Sequence, residues 1–409
     1  MDDLNIELIK KALTKYIGEH RMIANIEVQK YSGPVGNYLC DKFKMEVKVK
    51  NKEFKQDLDL VAKCSIHDKG PEFARQTALL IKNEILCYET IIPCLREFRV
   101  KYKFPDFECF PDYIASHCNL TEQNPTGTEA VLILENLCPK GYTHQDSSAG
   151  YNLKQSTTII EELASLHATW LALKYRDPEL FIISVIDTIL PRRHPPGGTG
   201  DPSAQLALLR QLVQPYEEFR DLSNFDKFAE KMKQKFLAGD LYNPKIVDPF
   251  ALFIHSDICC SNIMQILDDD ENIVKLKILD YQLATVGSPV RDLLYFIVSS
   301  VRLEDLTTKH FYNLIKHYHA TLKSTIQEFG VYTDLKYSYE LFCEELKAHA
   351  HEIILQLMYM LIHVNFRSQG EIFDPTRADL LQVEDVPPMA KQRICFLMRE
   401  AAKKGWLEI

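Results

Sequence analysis

The sequence predicts an α+β protein of two lobes, in which a small antiparallel sheet with one main helix precedes a large, mostly helical lobe. Two patterns support this prediction. Residues 23–65 alternate between apolar and polar side chains, as half-buried strands do. Later, LKQSTTIIEELASLHATWLALKYR places Leu163, Leu166 and Trp170 on one helical stripe. A strand-rich part is therefore followed by a helix-rich one.

The boundary between the lobes is expected after EAVLILENL, which is the last strand predicted for the small lobe. We therefore expect an N-lobe over residues 1–137 and a C-lobe over residues 138–409.

Composition excludes several classes of function. The chain has 409 residues, of which 46% are hydrophobic, and a net charge of −9, whereas a nucleic-acid partner requires a basic face. No apolar run is long enough to cross a bilayer, and the N-terminal MDDLNIELIKKALTKYIG predicts an amphipathic helix rather than a signal peptide. Eleven scattered cysteines favour free thiols. We expect a cytoplasmic protein without nucleic acid, membrane insertion or an obligate protein partner.

The segment most informative about chemistry contains His255, Asp257 and Asn262, and then the strand-like VKLKILD that ends at Asp280. An Asp alone is more often a turn residue. Asp257, Asn262 and Asp280 together have the spacing that protein kinases use for a base and two metal ligands. Phosphoryl transfer needs a carboxylate that orients a hydroxyl, and Mg²⁺ needs hard oxygen ligands. Asp257 is therefore predicted as the base, with Asn262 and Asp280 as metal ligands.

These residues, with Asp280-Tyr281-Gln282 and the following GSPVRDLLYF, resemble the choline kinase and aminoglycoside phosphotransferase group, and more closely the ecdysteroid-kinase-like (CHK kinase-like) family. Ser256 stands where that family usually has Gly, and Tyr281 where it has Phe; neither change removes a ligand. The resemblance implies a protein-kinase-like fold, in which the N-lobe of residues 1–137 binds the nucleotide and the C-lobe of residues 138–409 carries catalysis and the acceptor, and it implies ATP with Mg²⁺ as cofactors. It also implies a hydroxylated hydrophobic acceptor, such as an ecdysteroid, a related steroid or a xenobiotic met in detoxification.

Two residues are expected to hold the nucleotide phosphates. Lys63 ends the strand DLDLVAK, close to the V-A-I-K pattern of kinases. Glu84 lies in the predicted helix PEFARQTALLIKNEILCYETII and could pair with Lys63, and Glu89 is the competing candidate. Resemblance to the family's E-x-x-x-Y-x-x-x-x-P pattern selects Glu84, with Pro93 ending the helix.

Two further segments are candidates for nucleotide contacts. Gly33 and Gly36 in YSGPVGNY could form a turn over the phosphates, although a plain turn is the competing interpretation. Glu135-Asn136-Leu137 matches the family's E-D-L except at Asn136. Glu135 and Leu137 are therefore expected at the hinge, where the adenine meets backbone groups.

Three other polar residues have mainly structural interpretations. His255 is expected to brace the catalytic loop, and His167 to be a core histidine. Asp292 could cap the helix that follows it or, by resemblance, steady the catalytic loop. The acidic run of residues 268–271 lies between two strand-like runs and predicts a hairpin turn.

The acceptor is expected to be a small molecule, because the long peptide-docking segment of protein kinases is absent after Asp280. A choline, ethanolamine or aminoglycoside-type kinase is the alternative, and its pocket would be acidic or aromatic to bind a cation. A steroid site would be mostly apolar with a few placed polar groups. A catalytically inactive, kinase-like ligand-binding protein is the alternative of another class.

Overall fold

The computed structural model of the chain describes residues 2–17, 22–31, 39–50, 55–190, 201–239, 248–332, 336–368 and 382–408. Gly33 and Gly36, the candidate turn over the phosphates, lie outside these ranges. The predicted hairpin turn at Asn51-Lys52 in the alternating stretch 23–65 and most of the Pro- and Gly-rich stretch 190–203, which its composition predicts to be a loop, lie outside them as well.

A five-stranded sheet of antiparallel pairs forms most of the N-terminal part, with the strand order β1-β2-β3-β5-β4. Five shorter strands lie further along the chain, where β6 pairs with β8, β8 with β9, and β7 with β10. The strands are β1 (Met22–Lys30), β2 (Asp41–Lys50), β3 (Lys55–Cys64), β4 (Tyr113–Cys118), β5 (Ala130–Glu135), β6 (Thr143–His144), β7 (Leu252–Ile254), β8 (Ile263–Leu267), β9 (Ile273–Ile278) and β10 (Thr285–Gly287).

Helices dominate the chain after β5. The α-helices of the described residues are α1 (Asp2–Ile17), α2 (Pro71–Leu86), α3 (Ile92–Lys101), α4 (Leu153–Arg176), α5 (Pro178–Phe181), α6 (Ser203–Val213), α7 (Ser223–Ala238), α8 (Val290–Ser300), α9 (Thr308–Glu328), α10 (Tyr339–His349), α11 (Ile354–Ser368) and α12 (Pro388–Lys403). With the antiparallel sheet, they confirm the predicted α+β fold class.

The large sheet separates two apolar clusters. Strand β2 alternates buried and exposed residues, so Phe43 and Val47 point to the face that α1 covers with Ile9. Strand β5 is buried on both faces, and its Ile133 joins this cluster whereas Leu132 joins the main core. A strand that is covered on both faces has little freedom to move, so the residues at its C-terminal end are held in a fixed position.

The helix that begins at Pro71 does not end at Pro93, so that prediction is wrong. The chain passes from α2 through one π-helical turn, Cys87–Ile91, directly into α3. Proline is tolerated in the first turn of a helix, because its missing N–H is not needed there. The wide turn places Pro93 in such a first turn of α3, so the helical rod continues to Lys101.

The C-terminal part is built around α4, which begins with a capping box between Asn152 and Gln155. The predicted stripe of Leu163, Leu166 and Trp170 is buried, and α4 packs against α9. The acidic run before β9 forms the turn of the β8–β9 hairpin, as predicted. Among the described helices, none combines the length and apolarity that a membrane span needs.

Candidate active site

Strand β3, helix α2 and the segment after β9 bring three charged side chains together. The Lys63 ammonium lies 2.8 Å and 2.7 Å from the two Glu84 carboxylate oxygens and 3.0 Å from Asp280 Oδ1. All three side chains are buried. Burial alone would lower the pKa of Lys63, but the carboxylates of Asp280 and Glu84 raise it above its usual value. The ammonium is therefore charged and held in one place.

The competing glutamate, Glu89, has other partners. It accepts hydrogen bonds from Tyr113 at 2.5 Å and from Ser116 at 2.7 Å, both on β4. Among the two candidates, the structure therefore pairs Lys63 with Glu84.

The carboxylate of Asp257 is held by two donors. The Tyr295 hydroxyl donates to its Oδ1 at 2.7 Å, and the Asn262 amide donates to its Oδ2 at 3.0 Å. Burial raises the pKa of Asp257 to about 7, these two donors oppose the rise, and the charges of Asp280 and Asp292 add to it. A carboxylate with a pKa near neutrality is suited to take up a proton from a hydroxyl.

Asp280 adopts a left-handed backbone conformation, with φ of 71°. Its carboxylate faces the Lys63 ammonium, and Lys42 on β2 lies 4.0 Å from Oδ2. Burial would raise the pKa of Asp280, but the charges of Lys63 and Lys42 hold it below the usual value. The next amide, from Tyr281, donates to Glu84 at 3.3 Å, so this turn is tied to α2 as well as to β3.

Two side chains fit a hard cation. The Asn262 amide nitrogen is used on Asp257, which leaves its carbonyl oxygen without a hydrogen bond among the described residues. Leu279, just before Asp280, donates its amide to the Asn262 backbone carbonyl at 2.8 Å, so both candidate ligands belong to one hairpin. No group of three or more His, Cys, Asp or Glu side chains in the described ranges could hold a metal unaided. Mg²⁺ commonly takes one or two protein oxygens and completes its shell with phosphates and water.

Asp292 braces the candidate catalytic loop, residues 255–262, rather than capping its own helix. Its two oxygens accept the backbone amides of His255 and Ser256, each at 2.7 Å. His167 lies 3.2 Å from Oδ2 and meets the Tyr318 hydroxyl on its other side at 2.7 Å. Burial would raise the pKa of Asp292, but the hydrogen bond and charge of His167 and the loop keep it low.

His255 and Ser256 complete the loop. The Asp257 amide donates to His255 Nδ1 at 3.2 Å, so His255 Nε2 carries the proton and donates to the Leu279 carbonyl at 2.8 Å. Ser256 has a φ of 68°, a left-handed conformation that glycine adopts without strain. The Ser256 carbonyl accepts a hydrogen bond from Gln356 at 2.6 Å.

The candidate hinge follows β5. The amides of Glu135 and Asn136 donate to the carbonyls of Asp112 at 3.0 Å and Asp59 at 2.9 Å. The Glu135 carboxylate pairs with Lys140 and accepts the Asp112 amide at 2.8 Å. Among the described residues, the Leu137 amide has no hydrogen-bond partner. Of the three candidate hinge residues, Leu137 is therefore the one whose backbone N–H is not used within the described part of the chain.

Sequence reasoning missed Asn83, Tyr295, Gln356 and Lys42, and it treated His167 as a core residue. Asn83 donates to the carbonyls of Gln282 and Ala284 at 3.3 Å and 3.0 Å, and accepts the Leu190 amide at 3.1 Å. Their partners lie far away in the chain, so no local pattern marks them. Of these residues, Asn83 could have been identified from the sequence. It lies beside Glu84 within an apolar helix face, where a buried amide needs polar partners.

The fold and this arrangement of residues define a kinase-like protein. A family model described as the ecdysteroid kinase-like family matches residues 34–331. The chain belongs to the ecdysteroid kinase-like family.

Two other comparisons give less. An ethanolamine kinase of Plasmodium vivax matches with 10% identity, over 91% of this chain and 85% of that chain, at a TM-score of 0.36. No curated protein sequence matches the chain.

Proposed function

We propose that the protein is an ATP-dependent small-molecule kinase, which transfers the γ-phosphoryl group of ATP to a hydroxyl of a hydrophobic acceptor such as an ecdysteroid, a related steroid or a xenobiotic. The observation that carries the proposal is the buried contact of the Lys63 ammonium with the carboxylates of Glu84 and Asp280. Asp280 follows the β8–β9 hairpin, and the segment that leads into this hairpin bears Asp257 and Asn262. In kinases this set holds the phosphates, the metal and the acceptor hydroxyl.

In this proposal the cleft lies between an N-lobe of residues 1–137 and a C-lobe of residues 138–409. Lys63 binds the nucleotide phosphates and Glu84 orients it. The hinge residues Glu135 and Leu137 meet the adenine, and the free amide of Leu137 supports this role. Gly33 and Gly36 remain proposed phosphate contacts.

Asn262 and Asp280 would hold Mg²⁺, which neutralises the charge that develops on the transferred phosphoryl group. Asp257 orients the acceptor hydroxyl and takes its proton at a carboxylate oxygen. Tyr295 and Asn262 hold that carboxylate in place, so it need not reorganise during the reaction. A cytoplasmic location is part of the proposal, because all eleven cysteines are free.

The test is ATP consumption by the purified protein with Mg²⁺ and a panel of ecdysteroids, other hydroxylated steroids, plant glycosides, choline, ethanolamine and aminoglycosides. Asp257→Asn is the matched control, because it keeps the shape and removes the base. Phosphate transfer to one acceptor class, lost in the Asn variant, would establish both the reaction and the class. Absence of transfer together with absence of Mg²⁺-dependent ATP binding would refute a kinase and leave the ligand-binding alternative.

A further inference from the structure

A small cavity lies beside the catalytic loop. One wall is formed by Cys259, Cys260 and Ser261, which begin two residues after the proposed base in the chain. The lining also includes Met360 on α11, and Met389 and Arg393 on α12. No acidic side chain is among the described residues that line it. The cavity therefore combines apolar and hydroxyl surface with one cationic group.

Arg393 is the unusual member of this lining. Its side chain is almost fully buried, with the residue 1% exposed. Nη1 donates to the carbonyls of Val298 at 2.8 Å and Val301 at 2.7 Å, at the C-terminal end of α8. Nη2 is buried and has no hydrogen-bond partner, and no carboxylate of the described residues forms an ion pair with the guanidinium. Burial lowers the pKa of Arg393 to about 10, so the group is charged at neutral pH.

A buried donor without an acceptor is rare in folded proteins, and a buried charge without a partner is more costly still. Nη2 therefore requires an acceptor oxygen that the described chain does not supply. The cavity measures about 20 Å³, which suits one water molecule or one oxygen-bearing group rather than a whole acceptor. Met360 and Met389 are unbranched and can change rotamer to admit a larger group.

We propose that Arg393 is a specificity-determining residue of the acceptor site, and that its Nη2 binds an anionic or carbonyl oxygen of a largely apolar acceptor. This inference rests on the proposed function, since it takes Asp257 as the base. Cys259 connects the two sites, because it lines the cavity with Arg393 and lies two residues after Asp257 in the chain. A quaternary ammonium group would meet a like charge here, with no acidic side chain to receive it.

The wall that contains Arg393 has a second property. Met360, Met389 and Arg393 lie beyond residue 331, where the match to the family model ends, whereas Cys259 to Ser261 lie within it. The residues proposed to contact the acceptor oxygen therefore come from the chain after residue 331, whereas the residues next to the proposed base come from the part that the family model matches.

The experiment compares three probes that share one alkyl chain, namely hexanoate, hexanol and hexyltrimethylammonium, by titration calorimetry on the full-length protein at millimolar concentrations. Hexanoate is expected to bind best and hexyltrimethylammonium not to bind. Arg393→Met is expected to weaken hexanoate binding about tenfold or more, as loss of a charge-assisted hydrogen bond does.

Because Arg393 also holds the end of α8, a second variant keeps the test valid if Arg393→Met fails to fold. Met389→Glu places a carboxylate in the same cavity, where it competes with the probe for the guanidinium, and it is expected to abolish hexanoate binding. Met389→Gln has a similar size without the charge and is expected to retain binding.

Three results would overturn the inference: absence of hexanoate binding, binding of the ammonium probe as tight as that of hexanoate, or unchanged hexanoate binding in Met389→Glu. Mg²⁺-dependent ATP binding, measured on the same preparations, separates this inference from the proposed function. Absence of ATP binding with hexanoate bound refutes the kinase and leaves Arg393 as a binding site for an oxygen ligand, whereas ATP binding without hexanoate binding refutes the role of Arg393 alone.

Discussion

The hydroxyl of Tyr295 donates a 2.7 Å hydrogen bond to Oδ1 of Asp257. Tyr295 lies on α8 and is buried, so its hydroxyl has little freedom to leave this contact. The bond favours the charged form of the carboxylate, against the burial that raises its pKa to about 7. Tyr295 is therefore a positioning residue that also sets the pH range in which the proposed base is ready.

The pH profile of Tyr295→Phe tests this role. Asp257 must be deprotonated to act, so activity falls as the pH drops through its pKa. Loss of the donor raises that pKa, and the acid limb of kcat/KM is expected to move about one pH unit upward. The measurement uses the acceptor that the substrate panel identifies.

Tyr151→Phe is the matched control for that profile. It removes another buried tyrosine hydroxyl, which contacts Gln265 and not Asp257. Its acid limb should coincide with that of the unmodified protein. An unshifted limb in Tyr295→Phe would show that the phenol does not influence the base.

Replacement of Lys63 by Met tests the buried charge cluster. Glu84 and Asp280 would lose their cation and remain buried, which is expected to lower the free energy of unfolding by about 3–5 kcal/mol and to abolish Mg²⁺-dependent ATP binding. Urea denaturation and nucleotide titration measure the two effects. Lys48→Met, on the exposed face of β2, should change neither; a Lys63 variant that still binds ATP normally would contradict the assignment.

Asp292→Asn should weaken the catalytic loop. The carboxylate accepts two backbone amides at 2.7 Å, and Asn can replace only one of these acceptors. We expect a loss of about 2 kcal/mol in the free energy of unfolding. Equal stability of the variant and the unmodified protein at neutral pH would contradict the bracing role.

The same carboxylate predicts a pH dependence of stability. The pKa of Asp292 is depressed in the folded protein, so its contribution is complete above the unfolded value of about 3.9 and is lost as the pH falls through the lower folded value. The Asn variant should lack this contribution. Urea midpoints measured from neutral to acidic pH should therefore converge for the two proteins in strong acid.

Ser256→Gly is expected to stabilise the protein. Ser256 has a φ of 68° and a buried hydroxyl without a hydrogen-bond partner. Glycine relieves the left-handed strain, worth about 1 kcal/mol, and the buried hydroxyl is removed as well. Ser256→Ala removes only the hydroxyl and keeps the strain, so the difference between the variants isolates the backbone effect. A lower urea midpoint for Gly than for Ala would contradict this account.

Local patterns predicted much of the fold, and together with the resemblance to the family they named the proposed site residues. The alternation in β2, the helical stripe of α4 and the spacing from Asp257 to Asn262 each depend on neighbours in the chain. The choice of Glu84 over Glu89 needed the family pattern, because both glutamates lie on the same helical rod. The structure confirms the α+β class and places Lys63 against Glu84, whereas Gly33 and Gly36 lie outside the described residues.

The errors and omissions concern contacts that local patterns do not contain. Pro93 was expected to end a helix, but a π-helical turn moved it to a position where proline is tolerated. Tyr295 and Asn83 acquire their roles from groups that tertiary packing brings to them. Asp292 had two open interpretations, and only the loop amides within its reach decide between them.

The single wide turn between α2 and α3 also determines how far α3 is rotated about the helix axis relative to α2. Each residue added to an α-helix rotates everything after it by about 100°. The wide turn of Cys87–Ile91 therefore sets the rotation of α3, which buries Leu95 and Phe98, relative to α2, which presents Glu84. Deletion of one residue between Glu84 and the wide turn would rotate Leu95 and Phe98 out of the core by about this angle, whereas deletion within the turn itself is absorbed, because a π-helical turn holds about one residue more than an α-helical turn. Insertions and deletions in the rod are therefore constrained more tightly than substitutions on its exposed side.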